Sequence, residues 1–203
     1  MGSDDTQEKT FRSDAPALAR AGRSKPYIPC SGLAKDGFSN ENEASATCFC
    51  GQVQLAFPVK GAGLLDTFIC HCTDCYKLTA SIMGTAAFVV KGSHLKHIRG
   101  KDNLTSFGQN ETVTSGNTMT TSFCKTCGTV MYRVGSGSPS NYILRIGTVD
   151  DLNLAEGALK PRIEMFNKDR PSYLTGAEGV EQYEGYYYGL RKQKAKTSAG
   201  KSV

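Results

Sequence analysis

Short runs of strand-forming residues dominate the chain from Thr47 onward. The runs are rich in Thr, Val, Phe and Tyr and are separated by Gly or Asn, a pattern typical of β-strands joined by turns. Helix is predicted only for a turn or two after Cys72, and residues 183–188 are predicted to form a late strand or a packed aromatic patch. The chain is therefore expected to be mainly β, a small-sheet fold with little helix. The predicted strands are residues 53–57, 67–70, 85–90, 104–107, 118–123, 129–134 and 142–146.

The polar ends of the chain set the predicted domain limits. Residues 1–42 are rich in Ser, Asp, Ala, Gly and Pro and show no sustained apolar period, which predicts a flexible N-terminal segment. Residues 43–190 are enough for one domain around a single core. Residues 191–203 contain five basic side chains and no acidic one, which is typical of a flexible, solvated tail.

The distribution of charge argues against a nucleic-acid-binding protein. The chain has a formal net charge of +5 from 24 basic and 19 acidic residues, and the tail contributes five of the basic ones. Residues 1–190 are therefore neutral, whereas nucleic-acid-binding domains usually spread positive charge over a folded face. No nucleic-acid partner and no membrane contact is predicted.

Seven of the eight cysteines are predicted to bind metal rather than to form disulfides. The sequence contains no apolar stretch long enough for a membrane span and begins with a polar segment, so a soluble, cytoplasmic protein is expected. In a reducing compartment, clustered cysteine pairs are more typical of metal sites than of a disulfide framework. Cys30 lies outside the clusters and is predicted to be a free thiol.

Seven cysteines form three clusters, at residues 48–50, 70–75 and 124–127. In an extended backbone, residues two apart point to the same side, so each C-x-C pair can direct two sulfurs at one ion. The C-x-x-C-G run ending at Gly128 is a metal-binding turn in which glycine permits the positive φ needed next, and Gly51 is predicted to serve the same purpose.

Zinc chemistry divides these seven cysteines into four and three. A closed structural zinc site takes four ligands, whereas a catalytic site takes three protein ligands and leaves one position for water or substrate. The pairs at 48–50 and 124–127 would form the closed site, and residues 70–75 would form the open one. Spacing alone leaves open other pairings, a single zinc or an iron–sulfur cluster; zinc is favoured because isolated pairs of this type most often bind it.

The motifs, taken in order, resemble those of a known family. Residues 48–53 read C-F-C-G-Q-V, residues 70–75 read C-H-C-T-D-C, and residues 123–128 read F-C-K-T-C-G. The later G-T-V-D-D at residues 147–151 and the R-P-S that begins at Arg170 agree with this pattern. Over residues 45–175 the chain resembles the glutathione-dependent formaldehyde-activating enzymes and the related centromere-protein-V domains. It departs from them at Tyr173, where many members carry tryptophan.

The resemblance implies a zinc-stapled, mainly β fold with two zinc ions per chain. It also implies a carbon–sulfur lyase type of activity, in which the thiol of glutathione adds to formaldehyde to give S-(hydroxymethyl)glutathione. Fold and metal transfer more safely within a family than substrate does. The implied ligands are Cys48, Cys50, Cys124 and Cys127 on a structural zinc, and Cys70, Cys72 and Cys75 on a catalytic zinc through which these three take part in catalysis.

The predicted open site favours a sulfur substrate. Three thiolates on Zn²⁺ leave a formal charge of −1, so the ion is a weak activator of water but a suitable partner for a thiol. A bound substrate thiolate would require nearby cations, and Lys77 and Arg170 are the candidates. His71 is predicted to support the ligands rather than to act as a general base, and Asp74 is predicted to shape the turn.

Two alternative functions remain open at this point. The first is a zinc enzyme of the same scaffold that acts on a larger carbonyl compound or a hemithioacetal in specialised metabolism. The second is a non-enzymatic zinc module that binds chromatin or the cytoskeleton, as the centromere-protein-V likeness suggests. The neutral body of the chain and the absence of a long basic, proline-rich arm argue against the second.

Overall fold

A computed structural model describes residues 25–29 and 32–187. This part of the chain contains eleven β-strands, which form two sheets, and a single α-helix. The helix, α1, spans Thr73–Thr79. The prediction of a mainly β fold with little helix is confirmed. The strands are β1 (Glu43–Thr47), β2 (Gln54–Pro58), β3 (Leu64–Cys70), β4 (Thr85–Lys91), β5 (Lys96–Arg99), β6 (Leu104–Gln109), β7 (Met119–Cys124), β8 (Val130–Gly135), β9 (Asn141–Arg145), β10 (Ile163–Met165) and β11 (Glu181–Tyr183).

All seven predicted strands are present as β2, β3, β4 and β6 to β9, each close to its expected limits. Helix α1 begins directly after Cys72, as predicted. Near the C-terminal end, β11 ends at Tyr183, and the ring of Tyr183 packs on that of Tyr187 with 4.8 Å between centroids. The predicted aromatic packing is therefore present as far as residue 187. Four strands, β1, β5, β10 and β11, were not predicted.

The strands form a small sheet and a large one. The small sheet has the order β1-β2-β5 and is antiparallel. The large sheet has the order β11-β10-β3-β4-β9-β8-β7-β6. It is antiparallel except at one edge, where β10 runs parallel to both β3 and β11.

The main core lies between the two sheets. Phe57 of β2 packs on Phe88 of β4 with 4.7 Å between ring centroids, and both side chains are fully buried. Met131 of β8 and Leu144 of β9 belong to the same cluster and are likewise fully buried. Burial of this apolar surface is the main force that holds the sheets together.

The face of the large sheet that points away from the small sheet carries both arginine and cysteine side chains. Side chains alternate along a strand, so Arg133, which pairs with Ile143 of β9, shares this face with Arg145, which pairs with Ala87 of β4. Cys70, at the end of β3, projects from the same face. Cys70 belongs to a second apolar cluster on this face. The cluster comprises Phe68, Cys70, Cys75, Ala87, Val89, Ile163 and Met165.

Helix α1 joins β3 to β4 and lies against this second cluster. Cys75 is its buried residue. The helix ends at Ala80, whose φ of 50° is left-handed, and the Ala80 backbone N–H donates back to the last helical carbonyls. Among the described residues, no helix combines the length and apolar character needed to cross a membrane.

The described part of the predicted N-terminal segment 1–42 contacts the domain. The backbone N–H of Tyr27 donates to Asp151 at 2.9 Å, and that of Leu33 donates to the carbonyl of Phe49 at 2.8 Å. Asp36 forms an ion pair with Arg99 of β5. Residues 1–24, Cys30 and the basic tail lie outside the described residues, so the domain limits stay a prediction.

Candidate metal centres

Four cysteines from distant parts of the chain meet at one point. Cys48 follows β1, Cys50 follows shortly after, Cys124 ends β7 and Cys127 precedes β8. Their four sulfur atoms all lie within 4.8 Å of one another. Cys50 Sγ is 3.5 Å from Cys48 Sγ and 3.7 Å from Cys124 Sγ. Sulfurs bound at about 2.3 Å on two corners of a tetrahedron lie about 3.8 Å apart, so these spacings suit a tetrahedral ion.

Two tight turns bring the sulfurs of this four-cysteine group together. The backbone N–H of Gly51 donates to the Cys48 carbonyl at 2.9 Å, and that of Gly128 donates to the Cys124 carbonyl at 2.8 Å. The φ values are +80° at Gly51 and +74° at Gly128, as the sequence predicted. Val53 also donates its backbone N–H to Cys48 Sγ at 3.2 Å. Such N–H donors stabilise thiolates, which are the metal-binding form of cysteine.

The thiols of the four-cysteine group differ in acidity. Burial raises the pKa of Cys48 to about 12. Burial also acts on Cys127, but hydrogen bonds from Thr129 and Cys50 outweigh it and lower the pKa of Cys127 to about 6. At neutral pH, Cys127 therefore ionises more readily than Cys48, and the thiolate is the form of cysteine that binds metal.

The three-cysteine group lies at the start of α1. Cys70 ends β3, Cys72 precedes the helix and Cys75 lies in its first turn. Their sulfur atoms all lie within 4.8 Å of one another, and no histidine or carboxylate of the described residues joins them. A tetrahedral ion bound here has one position left for a small molecule. The seven described cysteines form no disulfide.

Two arginines adjoin the three-cysteine group. Arg133 Nη1 lies 4.0 Å from Cys75 Sγ, and both Arg133 and Arg145 are more than nine-tenths buried, with relative exposures of 7% and 6%. Hydrogen bonds from the Cys70 and Cys72 thiols, reinforced by the charges of Arg145 and Arg133, hold the pKa of Cys75 far below that of an ordinary thiol. The group therefore carries negative charge that the arginines partly balance.

Neither Lys77 nor Arg170, the cations considered from the sequence, belongs to this pair. Lys77 is exposed and forms no ion pair with the described residues. Arg170 instead bonds Glu164 at 2.7 Å. The sequence signal that was missed is a charge within an apolar strand: Arg133 lies inside Val130–Gly135, and Arg145 follows Ile143 by two residues.

His71 holds the backbone between two of the cysteines. It is buried, its Nε2 lies 2.6 Å from Glu164 Oε1, and its Nδ1 lies 2.9 Å from the Tyr76 hydroxyl. Both ring nitrogens are therefore engaged with the protein. This geometry agrees with the predicted supporting role for His71 and leaves neither nitrogen for proton transfer to a substrate.

Asp74 connects α1 to the last residue of β6 and to the segment that follows it. Its Oδ2 accepts from the Thr112 hydroxyl at 2.8 Å and from the Gln109 amide at 3.3 Å. The carboxylate thus fixes a tertiary contact at the helix start in addition to its place in the predicted turn.

Comparison with known proteins identifies the family. A family model described as glutathione-dependent formaldehyde-activating enzyme matches residues 43–169, a stretch that includes both cysteine groups. The chain belongs to this family. The resemblance drawn from the three cysteine motifs is therefore confirmed, and the family is one of enzymes. The additional likeness to centromere-protein-V domains stays a prediction.

Two further searches add little to this assignment. A search of curated proteins finds no match to the chain. Among solved structures, a crystal structure of a Rhodobacter sphaeroides protein matches with 18% sequence identity and a TM-score of 0.41. That match covers 68% of this chain and 98% of the Rhodobacter chain.

Proposed function

We propose that this chain is a zinc-dependent carbon–sulfur lyase or synthase that joins a thiol, glutathione in the first instance, to an aldehyde such as formaldehyde. The observation that carries the proposal is the three-cysteine group with its mutually close sulfurs and its two buried arginines, in a member of the formaldehyde-activating family. Three sulfur ligands with no fourth ligand among the described residues are typical of a metal site that accepts a substrate.

The donor sets of both groups suit zinc. Thiolates are soft ligands that zinc accepts in tetrahedral sites, and the sulfur spacings match that geometry. Under this proposal Cys70, Cys72 and Cys75 hold a catalytic ion, which when bound lowers the pKa of a substrate thiol and polarises a carbonyl. The other four, Cys48, Cys50, Cys124 and Cys127, hold a structural ion.

The arginines set the charge that this site can accept. Three thiolates and one divalent ion have a formal charge of −1, and Arg133 and Arg145 together add +2, so the site is left with one positive charge. One anionic group of the substrate is then neutralised. Because both arginines are buried, such compensation is worth more than it is at a protein surface.

The chemistry is an addition that neither oxidises nor reduces the substrates. The glutathione sulfur forms a bond to the carbonyl carbon, the π electron pair of the carbonyl moves to oxygen, and the proton lost by the thiol ends on that oxygen. The product is S-(hydroxymethyl)glutathione. His71 contributes by fixing the segment that carries Cys70 and Cys72, because its ring is held by Glu164 and Tyr76.

Exchange spectroscopy tests the proposal directly. The zinc-loaded full chain is added to glutathione and formaldehyde, and the rate of exchange between free glutathione and its adduct is measured by NMR. The proposal predicts acceleration by the unmodified chain and by Cys30→Ser, which changes a cysteine outside both groups, and loss of acceleration in Cys72→Ser. A rate equal to the uncatalysed one for the unmodified chain contradicts the proposed substrates.

A further inference from the structure

Three buried nitrogen atoms of the arginine pair have no hydrogen-bond partner among the described residues. They are Nε of Arg133 and both Nε and Nη2 of Arg145. A buried donor that is left unpaired destabilises the fold, and more so when it is charged, so such groups are rare in folded proteins. Three of them within one pair of side chains leave donors that a group from outside the described residues can fill.

The two unpaired nitrogens of Arg145, Nε and Nη2, are the pair through which a guanidinium group binds a carboxylate. Elsewhere in this chain, Arg162 donates through Nε to Asp66 Oδ1 at 2.9 Å and through Nη2 to Asp66 Oδ2 at 2.8 Å. The same two nitrogens of Arg145 have no partner among the described residues. Two parallel N–H groups match the two oxygens of a carboxylate, which a single thiolate sulfur does not offer.

The two arginines adjoin the three-cysteine group. Arg133 and Arg145 share one face of the large sheet with Cys70, and Arg133 Nη1 is 4.0 Å from Cys75 Sγ. Neither arginine forms a salt bridge with an acidic side chain of the described residues. The described residues thus supply no carboxylate for these two guanidinium groups.

We infer that Arg145, assisted by Arg133, binds a carboxylate of the substrate next to the three-cysteine group. The inference rests on the proposed function, since it takes this group to be where substrate binds. The carboxylate has two possible sources: the thiol itself, or an aldehyde that carries a carboxylate beside its carbonyl. In either case the enzyme prefers an acidic substrate to its neutral ester, and Arg133 and Arg145 determine that specificity.

Calorimetric titration of the zinc-loaded full chain tests the inference without requiring turnover. One arm compares 3-mercaptopropionate with its methyl ester. The other compares glyoxylate with methyl glyoxylate in the presence of 2-mercaptoethanol, a thiol that has no carboxylate. A charged bidentate contact should make the acid bind at least about tenfold tighter than the ester. The arm that shows the difference identifies the source of the carboxylate, and equal affinities in both arms overturn the inference.

Arg145→Lys locates the contact. Lysine keeps the charge but lacks the two parallel N–H groups, so the preference for the acid should fall at least about tenfold. Arg162→Lys is the matched control, because the Nε and Nη2 of Arg162 already donate to Asp66. This substitution should leave the preference for the acid unchanged. A preference that survives Arg145→Lys places the anion elsewhere and overturns the inference.

Should Arg145→Lys fail to fold, the unmodified chain still decides the matter. Binding of the acid, but not of the ester, should shift the NMR signals of the Arg133 and Arg145 Nε–H groups and leave that of Arg162 in place. Unmoved Arg145 signals contradict the inference. Failure of the proposed function is a separate result, since glutathione and formaldehyde can exchange at the uncatalysed rate while the acid is still preferred in the calorimeter.

Discussion

Glu164 is a buried carboxylate whose two oxygens are both hydrogen-bonded. Oε1 lies 2.6 Å from His71 Nε2 and accepts from Arg170 at 2.7 Å. Oε2 accepts from the Ala177 backbone N–H at 2.9 Å and from the Gln182 amide at 2.8 Å. Burial alone would raise the pKa of this group, but these donors outweigh it and lower the pKa of Glu164 to about 2.

The lowered pKa makes part of the stability depend on pH. Since the pKa in the folded chain lies below the ordinary 4.5, ionised Glu164 stabilises the fold at pH values above about 4.5, and this stabilisation is lost as the pH falls toward 2. Glu164→Gln should therefore lower the free energy of unfolding at pH 7 by about 3 kcal/mol, measured by urea denaturation.

The pH profile separates this effect from general damage. The difference between the unmodified chain and Glu164→Gln should stay constant from pH 8 to about pH 5 and shrink below about pH 4.5. Glu178→Gln, at an exposed position, should show no difference in either range. A difference that does not change with pH would contradict the role of the ionised carboxylate.

At the scale of single residues, sequence reasoning found the cysteines but not their partners. Cysteine spacing is a local property, so the two groups could be predicted from the motifs. Arg133 and Arg145 come from two different strands, and Glu164 reaches His71 across 93 positions of the chain. Their roles depend on strand register and sheet order, which the local sequence does not encode.

At the scale of elements, the turn after Cys50 packs against the turn after β5. Gly100 has a φ of +68°, and a Cβ atom placed on it would lie 2.0 Å from the Gln52 carbonyl oxygen. Arg99 reinforces the contact, since its Nε donates to the Gly51 carbonyl at 2.7 Å. The shape of the Cys48–Cys50 turn thus depends on a glycine that is distant in sequence.

Gly100→Ala should displace this turn and weaken metal binding by the four-cysteine group. Gly116 provides the matched control, because it has the same φ of +68° but nothing within 4 Å of the added Cβ. Gly116→Ala should cost only the left-handed backbone strain, about 1 kcal/mol. The measurement is a zinc-chelator competition for each variant together with its melting temperature.

Similar zinc affinity and melting temperature for the two glycine variants would contradict the packing argument. The contact distance predicts that Gly100→Ala is the more harmful by at least about 2 kcal/mol, because the clash is with backbone and not with a movable side chain.

The strands that sequence reasoning missed share a physical cause. β1 consists mainly of small residues, β5 alternates with charged ones, and β10 and β11 have three residues each. None has enough strand-forming character by itself. They are strands because β2, β3 and β10 offer them hydrogen-bonding edges, so tertiary pairing decides their structure.

At the scale of the whole molecule, the two cysteine groups differ in what they connect. The four-cysteine group joins β1 of the small sheet to β7 and β8 of the large one, and its members Cys50 and Cys124 are 74 residues apart. The three-cysteine group lies within residues 70–75, at the junction of one strand and one helix. Loss of the first group therefore removes a link between the two sheets, whereas loss of the second is local.

This difference yields a prediction about two single substitutions. Metal analysis of the unmodified chain should find two zinc ions. Cys72→Ser should lose one of them and stay folded, because the sheet core around Phe57 and Phe88 does not depend on that site. Cys124→Ser should unfold the domain, since a structural zinc site contributes on the order of 10 kcal/mol and a typical domain has only about 5–15 kcal/mol in total.

Circular dichroism and bound-zinc analysis of the two variants decide between this arrangement and the alternatives. A single ion in the unmodified chain, or equal unfolding in both variants, would contradict the division into four and three. Iron or sulfide in the purified protein would point to a cluster instead. With Cys72→Ser folded and inactive and Cys124→Ser unfolded, the four-cysteine group serves the fold, and the chemistry belongs to the face that carries Cys75, Arg133 and Arg145.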